Sequence, residues 1–180
     1  YEPAVAFFLE GPRSDALCGA GETNRAAHFA GGRLRSRIAN LGDKYSVSLW
    51  FWNGMPADGR AVTGWMLSRG RDHGLGPDGD HLGIGGSEDH TGKLIFRGGD
   101  AGTPLGGTTV IRRWTWNHVV LVRDGDKVSV YLNGKTKPEI EGEAKSPIPP
   151  PSPSSSSAVA ATTIRTLRAG STRPPFTTAH

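Results

Sequence analysis

Hydrophobic and polar residues alternate along much of the chain, most clearly in residues 44–53, KYSVSLWFWN. Successive side chains of an extended strand point to opposite faces, so one face carries Tyr45, Val47, Leu49 and Phe51. The opposite face carries Ser46, Ser48, Trp50 and Trp52. Because the end of the segment is apolar on both faces, the pattern predicts a central sandwich strand that is covered on both sides near Trp50.

Similar short patterns predict further strands, and no segment has a helical periodicity. The predicted strands are residues 5–9, 26–29, 64–68, 81–84, 93–96, 108–111, 118–123 and 127–132. Asp124 and Gly125 between the last two strands suit the positive φ angles of a tight hairpin, so these strands should pair antiparallel. Residues 133–134, Asn-Gly, predict another turn. The longest irregular segment, residues 69–92, is interrupted only by the short predicted strand at residues 81–84, and it has the length of loops that carry function or lack order.

The composition supports a single all-β domain. The chain has 180 residues, and its 26 glycines and 13 prolines make turns frequent. Helical bundles have little use for so many helix breakers, whereas an antiparallel sandwich needs a turn about every 8–12 residues. No apolar run reaches about 18 residues and no secretory signal is present, which predicts no membrane insertion. Because the sequence begins at Tyr1 without a Met, we expect a piece of a longer or processed protein.

The distribution of charge argues against nucleic-acid binding. The net charge is +4, but four of the 21 basic residues and none of the 17 acidic residues lie in residues 144–180. The body of the chain is therefore neutral, and it has no basic stripe interleaved with aromatic residues. The single cysteine, Cys18, has no partner for an internal disulfide or a zinc site.

Residues 146–180 differ in composition from the rest, with seven prolines, seven serines and no clear strand or helix pattern. A Pro- and Ser-rich segment of this kind is typical of a flexible, partly extended tail. We therefore predict a folded domain over residues 1–145, followed by a tail over residues 146–180.

Three motifs give the chain a family resemblance: residues 24–32, NRAAHFAGG; residues 45–52, YSVSLWFW; and residues 114–134, WTWNHVVLVRDGDKVSVYLNG. The last has the pattern Trp-x-His-Val, Asp-Gly and Tyr-x-Asn-Gly. Over residues 24–140 the chain resembles the LamG-like, concanavalin A-like lectin/glucanase family. The resemblance implies a two-sheet antiparallel jelly-roll sandwich.

The tail departs from the family pattern after residue 149. The family's closing strand has a Gly-Gly-Arg lead-in and ends in a segment similar to Tyr-Asp-Arg-Ala-Leu. The fixed codon bases of residues 156–163 and 174–180, read in a shifted frame, permit Phe-Phe-Gly-Gly-Arg-Ser-Asp-Asn and Ala-Val-Tyr-Asp-Arg-Ala. The tail is therefore expected to be either disordered or a frameshifted replacement of the closing strand, and the latter would leave an uncovered sheet edge.

The sequence predicts no catalysis. A retaining glucanase of this fold would carry a Glu-x-Asp-x-x-Glu strand, with two carboxylates about 5 Å apart on one face, and that motif is absent. Glu139, Glu141 and Glu143 lie beside a proline and are interpreted as a solvated acidic linker. Serine-hydrolase, zinc-protease and phosphate-loop motifs are also missing.

The long loop carries the candidate polar ligands. Asp78 and Asp80 could contribute to a Ca²⁺ site, which takes roughly six to eight oxygen ligands. The resemblance also implies calcium, because LamG-like domains often bind it at one rim. A solvated glycine-rich loop is the alternative, and zinc bound by His73, His81 and His90 is disfavoured because nothing defines their geometry.

Aromatic residues are the other binding candidates. Trp52 and Trp65 are predicted sugar-stacking platforms, whereas Trp50 and at least one of Trp114 and Trp116 match core positions of the family motifs. His118 is interpreted as a structural hydrogen-bonding residue. The predicted ligand-binding set is Trp52, Trp65, Asp72, His81, Asp89 and His90.

The resemblance implies a non-catalytic module that binds a glycan or an extracellular protein, within a larger extracytoplasmic or cell-surface protein. A purely structural or docking domain attached to an enzyme or sensor is the alternative, because fold alone does not define a ligand. A glycosidase is disfavoured by the missing carboxylate pair. The oligomeric state is left open.

Overall fold

The computed structural model describes residues 5–13, 22–29, 32–38, 41–70, 79–98, 103–145 and 157–161. Asp72, Asp78 and most of the predicted tail lie outside these ranges. The strands are β1 (Val5–Glu10), β2 (Arg25–Phe29), β3 (Arg33–Arg37), β4 (Lys44–Trp52), β5 (Val62–Gly70), β6 (Asp80–Gly85), β7 (Lys93–Gly98), β8 (Leu105–Val110), β9 (Trp116–Asp124), β10 (Lys127–Leu132), β11 (Ile140–Glu143) and β12 (Ser157–Ala161). A short 3₁₀ turn, Glu88–His90, lies between β6 and β7.

The strands form two main antiparallel sheets and one separate pair. The four-stranded sheet has the order β11-β10-β9-β4, and the six-stranded sheet has the order β3-β12-β5-β6-β7-β8. Strands β1 and β2 pair with each other. The predicted all-β, two-sheet antiparallel sandwich is therefore confirmed. Within the described residues, no helix is long and apolar enough to cross a bilayer.

The core lies between the two sheets and follows from strand alternation. Along β9, buried and partly exposed residues alternate at every position from Trp116 to Arg123. The buried apolar side chains between the sheets are Leu49, Phe51, Met66, Leu67, Leu82, Ile84, Leu94, Phe96, Ile111, Val119, Leu121, Val128, Val130, Leu132, Ile140 and Ala144. Tyr45 and Val47 pack against this cluster, so the apolar face predicted for β4 is confirmed. The predicted central position, covered on both sides, is wrong, because β4 is the last strand in the order β11-β10-β9-β4 and Trp50 lies outside the buried cluster.

The β9–β10 hairpin forms where the sequence predicts it. Asp124 pairs with Lys127, and Gly125 has a φ of +61°, a left-handed conformation that glycine adopts without steric cost. Asn133 and Gly134 also have positive φ angles, in the turn that leads towards β11. The backbone N–H of Asn133 donates to the carbonyl of His118 at 2.8 Å, which closes the open end of the hairpin.

Strands β3, β11 and β12 were not predicted. In β11 the inward positions are Ile140 and Gly142, followed by Ala144 just after the strand, so the apolar alternation is weak beside the exposed glutamates. Interpreting this segment as a solvated linker was wrong. Strand β12 pairs with both β3 and β5, which places residues 157–161 inside the six-stranded sheet. The domain boundary at residue 145 and the shifted reading frame stay predictions.

Glu139, just before β11, connects the two sheets at an edge. Its Oε1 accepts backbone N–H groups from Thr108 at 2.6 Å and Thr109 at 2.5 Å, and its Oε2 accepts the Thr109 hydroxyl at 2.8 Å. Partial burial would raise the pKa of Glu139, but the hydrogen bonds from Thr109 and Thr108 outweigh it and the pKa is lowered. An ionised Glu139 therefore holds edge strand β8 against the four-stranded sheet.

Replacing this carboxylate should change how stability depends on pH. Because its folded-state pKa is below the ordinary 4.5, the stabilisation is present above that value and is lost as the pH falls through the folded-state pKa. Glu139→Gln should lower the free energy of unfolding by about 1 kcal/mol at pH 7. Below pH 5, the free energy of unfolding of this variant should decrease less steeply with falling pH than that of the parent. Urea unfolding from pH 3 to 7, with the exposed Glu141→Gln as control, measures this. Equal pH slopes for Glu139→Gln and the parent would contradict it.

Candidate functional site

One face of the four-stranded sheet packs on the core, and the opposite face carries a group of aromatic side chains. In β4 and β9, Trp50 pairs with His118 and Trp52 pairs with Trp116 across the strands. Cross-strand partners lie on the same side of a sheet, so these four side chains share the face away from Leu49 and Phe51. Trp114 joins them from the loop before β9, since its ring contacts Trp52. We call Trp50, Trp52, Trp114, Trp116 and His118 the aromatic face.

His118 lies opposite Trp50 on this face and is held by polar and aromatic contacts. Its Nε2 is 2.8 Å from the Ser48 hydroxyl, and its ring lies 4.9 Å from the Trp50 ring at a tilt of 36°. Its backbone N–H donates to the side-chain carbonyl of Asn133 at 2.8 Å. The contact between Nε2 and the Ser48 hydroxyl agrees with the predicted hydrogen-bonding role of His118.

Trp114 is the most exposed member, with 54% of its surface accessible. Its ring meets Trp52 edge-on, with centroids 4.9 Å apart and an interplanar angle of 67°. Its backbone N–H donates at 2.9 Å to the carbonyl of Asn53, a buried residue just after β4. Aromatic pairs favour this edge-to-face geometry, so Trp52 supports the orientation of the exposed ring.

The backbone of Trp114 is strained. Its φ of +62° lies in the left-handed region, which costs a bulky residue roughly 1–3 kcal/mol and persists only where the surroundings impose it. The surrounding loop is anchored on both sides, because the N–H of Ile111 donates to Gly92 and the Thr115 hydroxyl donates to the carbonyl of Arg112. A strained conformation that exposes a large apolar ring is typical of a binding residue.

Arg113 completes this end of the face. Its guanidinium carbon lies 4.9 Å from the centroid of the Trp114 ring, and its Nη2 donates to the carbonyl of Gly54 at 2.9 Å. A Cβ at Gly54 would lie 2.9 Å from Cζ3 of Trp114, so any larger residue there would displace the indole. The guanidinium and the exposed indole thus form one preorganised unit.

The predicted core role of Trp50, and of Trp114 or Trp116, was wrong. None of the three belongs to the buried cluster between the sheets: Trp50 and Trp116 are half-buried on the outer face, and Trp114 is exposed. The alternation that buries Leu49 and Phe51 turns Trp50 outward. The signal was present in the sequence, because Ser46 and Ser48 share the face of Trp50 and indicate contact with solvent.

The other predicted ligand residues are divided between the two sheets. Trp52 belongs to the aromatic face, whereas Trp65 and His81 lie on the outer side of the six-stranded sheet, with ring centroids 5.6 Å apart. His81 is only 1% exposed. The ring of His90 packs over Gly106, and Asp89 is exposed in the same 3₁₀ turn. Trp65, His81 and His90 thus pack against the sheet, and the structure does not bring Trp52 near them.

Asp80, one of the two predicted calcium ligands, faces the interior. Its Oδ2 accepts the Tyr45 hydroxyl at 2.5 Å and lies 3.9 Å from Nη1 of Arg69, while its Oδ1 lies 3.7 Å from Nη2 of Arg123. Burial, followed by the nearby charge of Asp80, raises the pKa of Tyr45, which keeps its hydroxyl protonated as the donor. Two guanidinium groups beside a carboxylate disfavour a divalent cation.

Calcium binding through Asp78 and Asp80 stays a prediction. Asp78 is outside the described residues, and the arrangement around Asp80 gives the site no support. Within the described ranges, no group of three or more His, Cys, Asp or Glu side chains is placed to hold a metal ion.

Comparisons with known proteins give a family match and distant structural similarities. A family model described as the concanavalin A-like lectin/glucanases superfamily matches residues 28–163. Galectin-Ib from Xenopus laevis is 14% identical with a TM-score of 0.50, covering 77% of this chain and 97% of its own. A search of curated proteins gave no match.

Two bacterial structures are similar over more of the chain. A carbohydrate-binding module from Bacillus subtilis is 11% identical with a TM-score of 0.47, covering 92% of both chains. Domain 4 of an extracellular arabinanase from Geobacillus stearothermophilus, solved with arabinotriose, is 17% identical with a TM-score of 0.49 and covers 92% of this chain and 76% of its own. At 14% identity the galectin likeness shows the fold alone.

Proposed function

The chain belongs to the concanavalin A-like lectin/glucanase superfamily, and from this premise we propose that it is a non-catalytic carbohydrate-binding module whose binding surface is the aromatic face. The superfamily contains both lectins and glucanases, so the choice between them rests on the residues of this chain.

The exposure of Trp114 is the observation that carries the proposal. A sugar ring presents apolar C–H groups on its faces and hydroxyl groups at its rim, so an exposed indole with polar neighbours suits it. Trp114 is held edge-on against Trp52, and Arg113 supplies hydrogen-bond donors beside it. A rigid platform loses little conformational entropy on binding, which favours affinity.

The positions of the carboxylates support a non-catalytic role. Among the described residues on this side of the four-stranded sheet, Asp124 is ion-paired with Lys44 at the end opposite Trp52. Glu141 and Glu143 lie on edge strand β11, separated by β10 from β9 and its tryptophan. Glycoside hydrolysis needs two carboxylates flanking the bond that is cleaved, about 5–10 Å apart, and the aromatic face offers no such pair within the described chain. A sugar-binding module would act in an extracytoplasmic setting, where polysaccharides are found.

Affinity electrophoresis in gels that contain soluble polysaccharides tests the proposal. The protein should migrate more slowly in at least one polysaccharide gel, and Trp52→Ala should weaken this retention about tenfold because the support for Trp114 is lost. Val110→Ala is the matched control, since Val110 is an apolar residue 59% exposed on the six-stranded sheet. The gels are run with Ca²⁺ and with a chelator, so that an effect of calcium is also detected.

Two results would contradict this assignment. Absence of retention in every polysaccharide, with folding verified by circular dichroism, would remove the carbohydrate-binding function and leave the docking role. If Trp52→Ala does not alter retention, the protein binds carbohydrate through a surface other than the aromatic face.

A further inference from the structure

The charges around the aromatic face are unevenly distributed. At the end away from the tryptophans, Lys44 is paired with Asp124, and Lys127 and Glu143 are cross-strand neighbours, so opposite charges offset each other. At the tryptophan end, Arg112 and Arg113 are both exposed and adjoin Trp114 in the chain.

These two arginines have no carboxylate partner among the described residues. The described ion pairs are Arg13–Glu10, Lys44–Asp124, Arg69–Asp80 and Arg123–Asp80. The loop that follows β4 carries Asp58 and Arg60, both exposed, and their charges offset each other. Arg112 and Arg113 are therefore exposed cations beside Trp114 that no described carboxylate neutralises through an ion pair.

Arg113 is oriented before any ligand arrives. Its guanidinium stacks on Trp114 and uses Nη2 for the hydrogen bond to Gly54, which leaves the donors of Nε and Nη1 for another acceptor. A planar guanidinium binds carboxylate and sulfate groups through paired hydrogen bonds, and an ordered one loses less side-chain entropy in doing so. A sugar stacked on Trp114 would place its substituents near this charge.

We propose that the aromatic face selects acidic saccharides, with Trp114 stacking on the sugar ring and Arg113, assisted by Arg112, binding a carboxylate or sulfate substituent. This inference rests on the proposed carbohydrate-binding function and specifies its ligand class. Neutral sugars use only the stacking part of the site. The preference for the acidic sugar should weaken as salt rises, because ions screen exposed charges.

Pairs of polysaccharides that share a sugar backbone and differ in charge separate recognition of the charge from recognition of the sugar. The probes are polygalacturonate against its methyl ester, and carboxymethyl cellulose against hydroxyethyl cellulose, measured by isothermal titration calorimetry at low and at physiological salt. The parent protein should bind the acidic member of at least one pair about five- to tenfold more tightly at low salt. Arg112→Gln combined with Arg113→Gln should remove this preference, so that the acidic and neutral members of the pair bind with equal affinity.

The control changes the same amount of charge elsewhere. Lys135→Gln combined with Lys137→Gln removes two exposed cations from the turn between β10 and β11, and should leave the preference intact. Equal loss in the lysine and arginine variants would overturn the inference, because net charge would then be responsible. Equal affinity for both members of each pair, with binding lost in Trp114→Gly, would overturn it while keeping the proposed function. No binding to any probe or polysaccharide would overturn both.

Discussion

Asp80→Ala is expected to lower the free energy of unfolding by about 3–5 kcal/mol, the largest effect of any single substitution considered for this domain. Asp80 is 2% exposed and Arg123 is fully buried. Removing the carboxylate leaves the charge of Arg123 in the interior without its counterion. Arg69, which is largely buried at the same place, loses its ion pair as well.

The remaining contacts of the two arginines cannot replace the carboxylate. Arg123 donates from Nη2 to the carbonyl of Ala144, and Arg69 donates from Nη2 to the carbonyl of Leu41. A carbonyl oxygen accepts a hydrogen bond but does not neutralise a buried charge, so the desolvation cost of each guanidinium persists. Tyr45 also loses its acceptor.

Unfolding of three variants in guanidinium chloride measures this change in the free energy of unfolding. Asp58→Ala, in an exposed loop, is the control and should change stability by less than about 0.5 kcal/mol. Asp80→Leu combined with Arg123→Met should be more stable than Asp80→Ala, because apolar residues of similar volume replace a buried ion pair at little cost. An Asp80→Ala variant within about 1 kcal/mol of the parent would show that the buried charges are not coupled as the structure indicates.

Trp114→Gly should separate binding from stability. Glycine adopts the +62° φ of this position without strain, and the substitution removes a ring that is mostly exposed. The melting temperature should therefore stay within a few degrees of the parent's, while affinity for a bound polysaccharide falls tenfold or more because the exposed stacking surface is lost. Differential scanning calorimetry and isothermal titration calorimetry on the same sample give both quantities.

Trp52→Gly provides the comparison for Trp114→Gly, because Trp52 is expected to contribute to both folding and binding. Trp52 lies in β4, where glycine weakens the strand and removes packing against Trp114, so both stability and binding should fall. If Trp114→Gly instead unfolds the domain, Trp114 is a structural residue and the aromatic face loses its main candidate. Unchanged affinity in a folded Trp114→Gly variant would likewise exclude the ring as a platform.

The strands that the sequence predicted well have strong local signals. Strand β4 alternates over its whole length, and the turn at Gly125 joins two segments rich in β-branched residues. Strand β11 was missed because glutamates and a glycine interrupt its apolar positions, and its pairing with β10 comes from residues brought close by the preceding turn. Local alternation identifies a strand only where most of its inward side chains are large and apolar.

The candidate site was harder to predict than the fold. The sequence offered Trp52 as a platform candidate, which stays a prediction, but it assigned Trp50 and Trp114 or Trp116 to the core and gave Arg113 no role. Strand alternation tells which residues share a face, and it does not tell which of the two faces another layer will cover. For β4 only the packing of the six-stranded sheet decided this, by covering Leu49 and Phe51 and leaving Trp50 and Trp52 outside.

The sequence by itself determined the all-β class and the β9–β10 hairpin, because these depend on the period of side chains along a strand and on the residues that a turn requires. It indicated the family through the resemblance of three motifs. The tertiary structure alone decided three further features. It placed Asp80 between two buried arginines, directed Glu139 onto the edge of β8, and brought the loop of Trp114 onto the end of β4. The contacts Asp80–Arg123, Glu139–Thr109 and Trp114–Asn53 each join residues at least 30 positions apart, which no local pattern encodes.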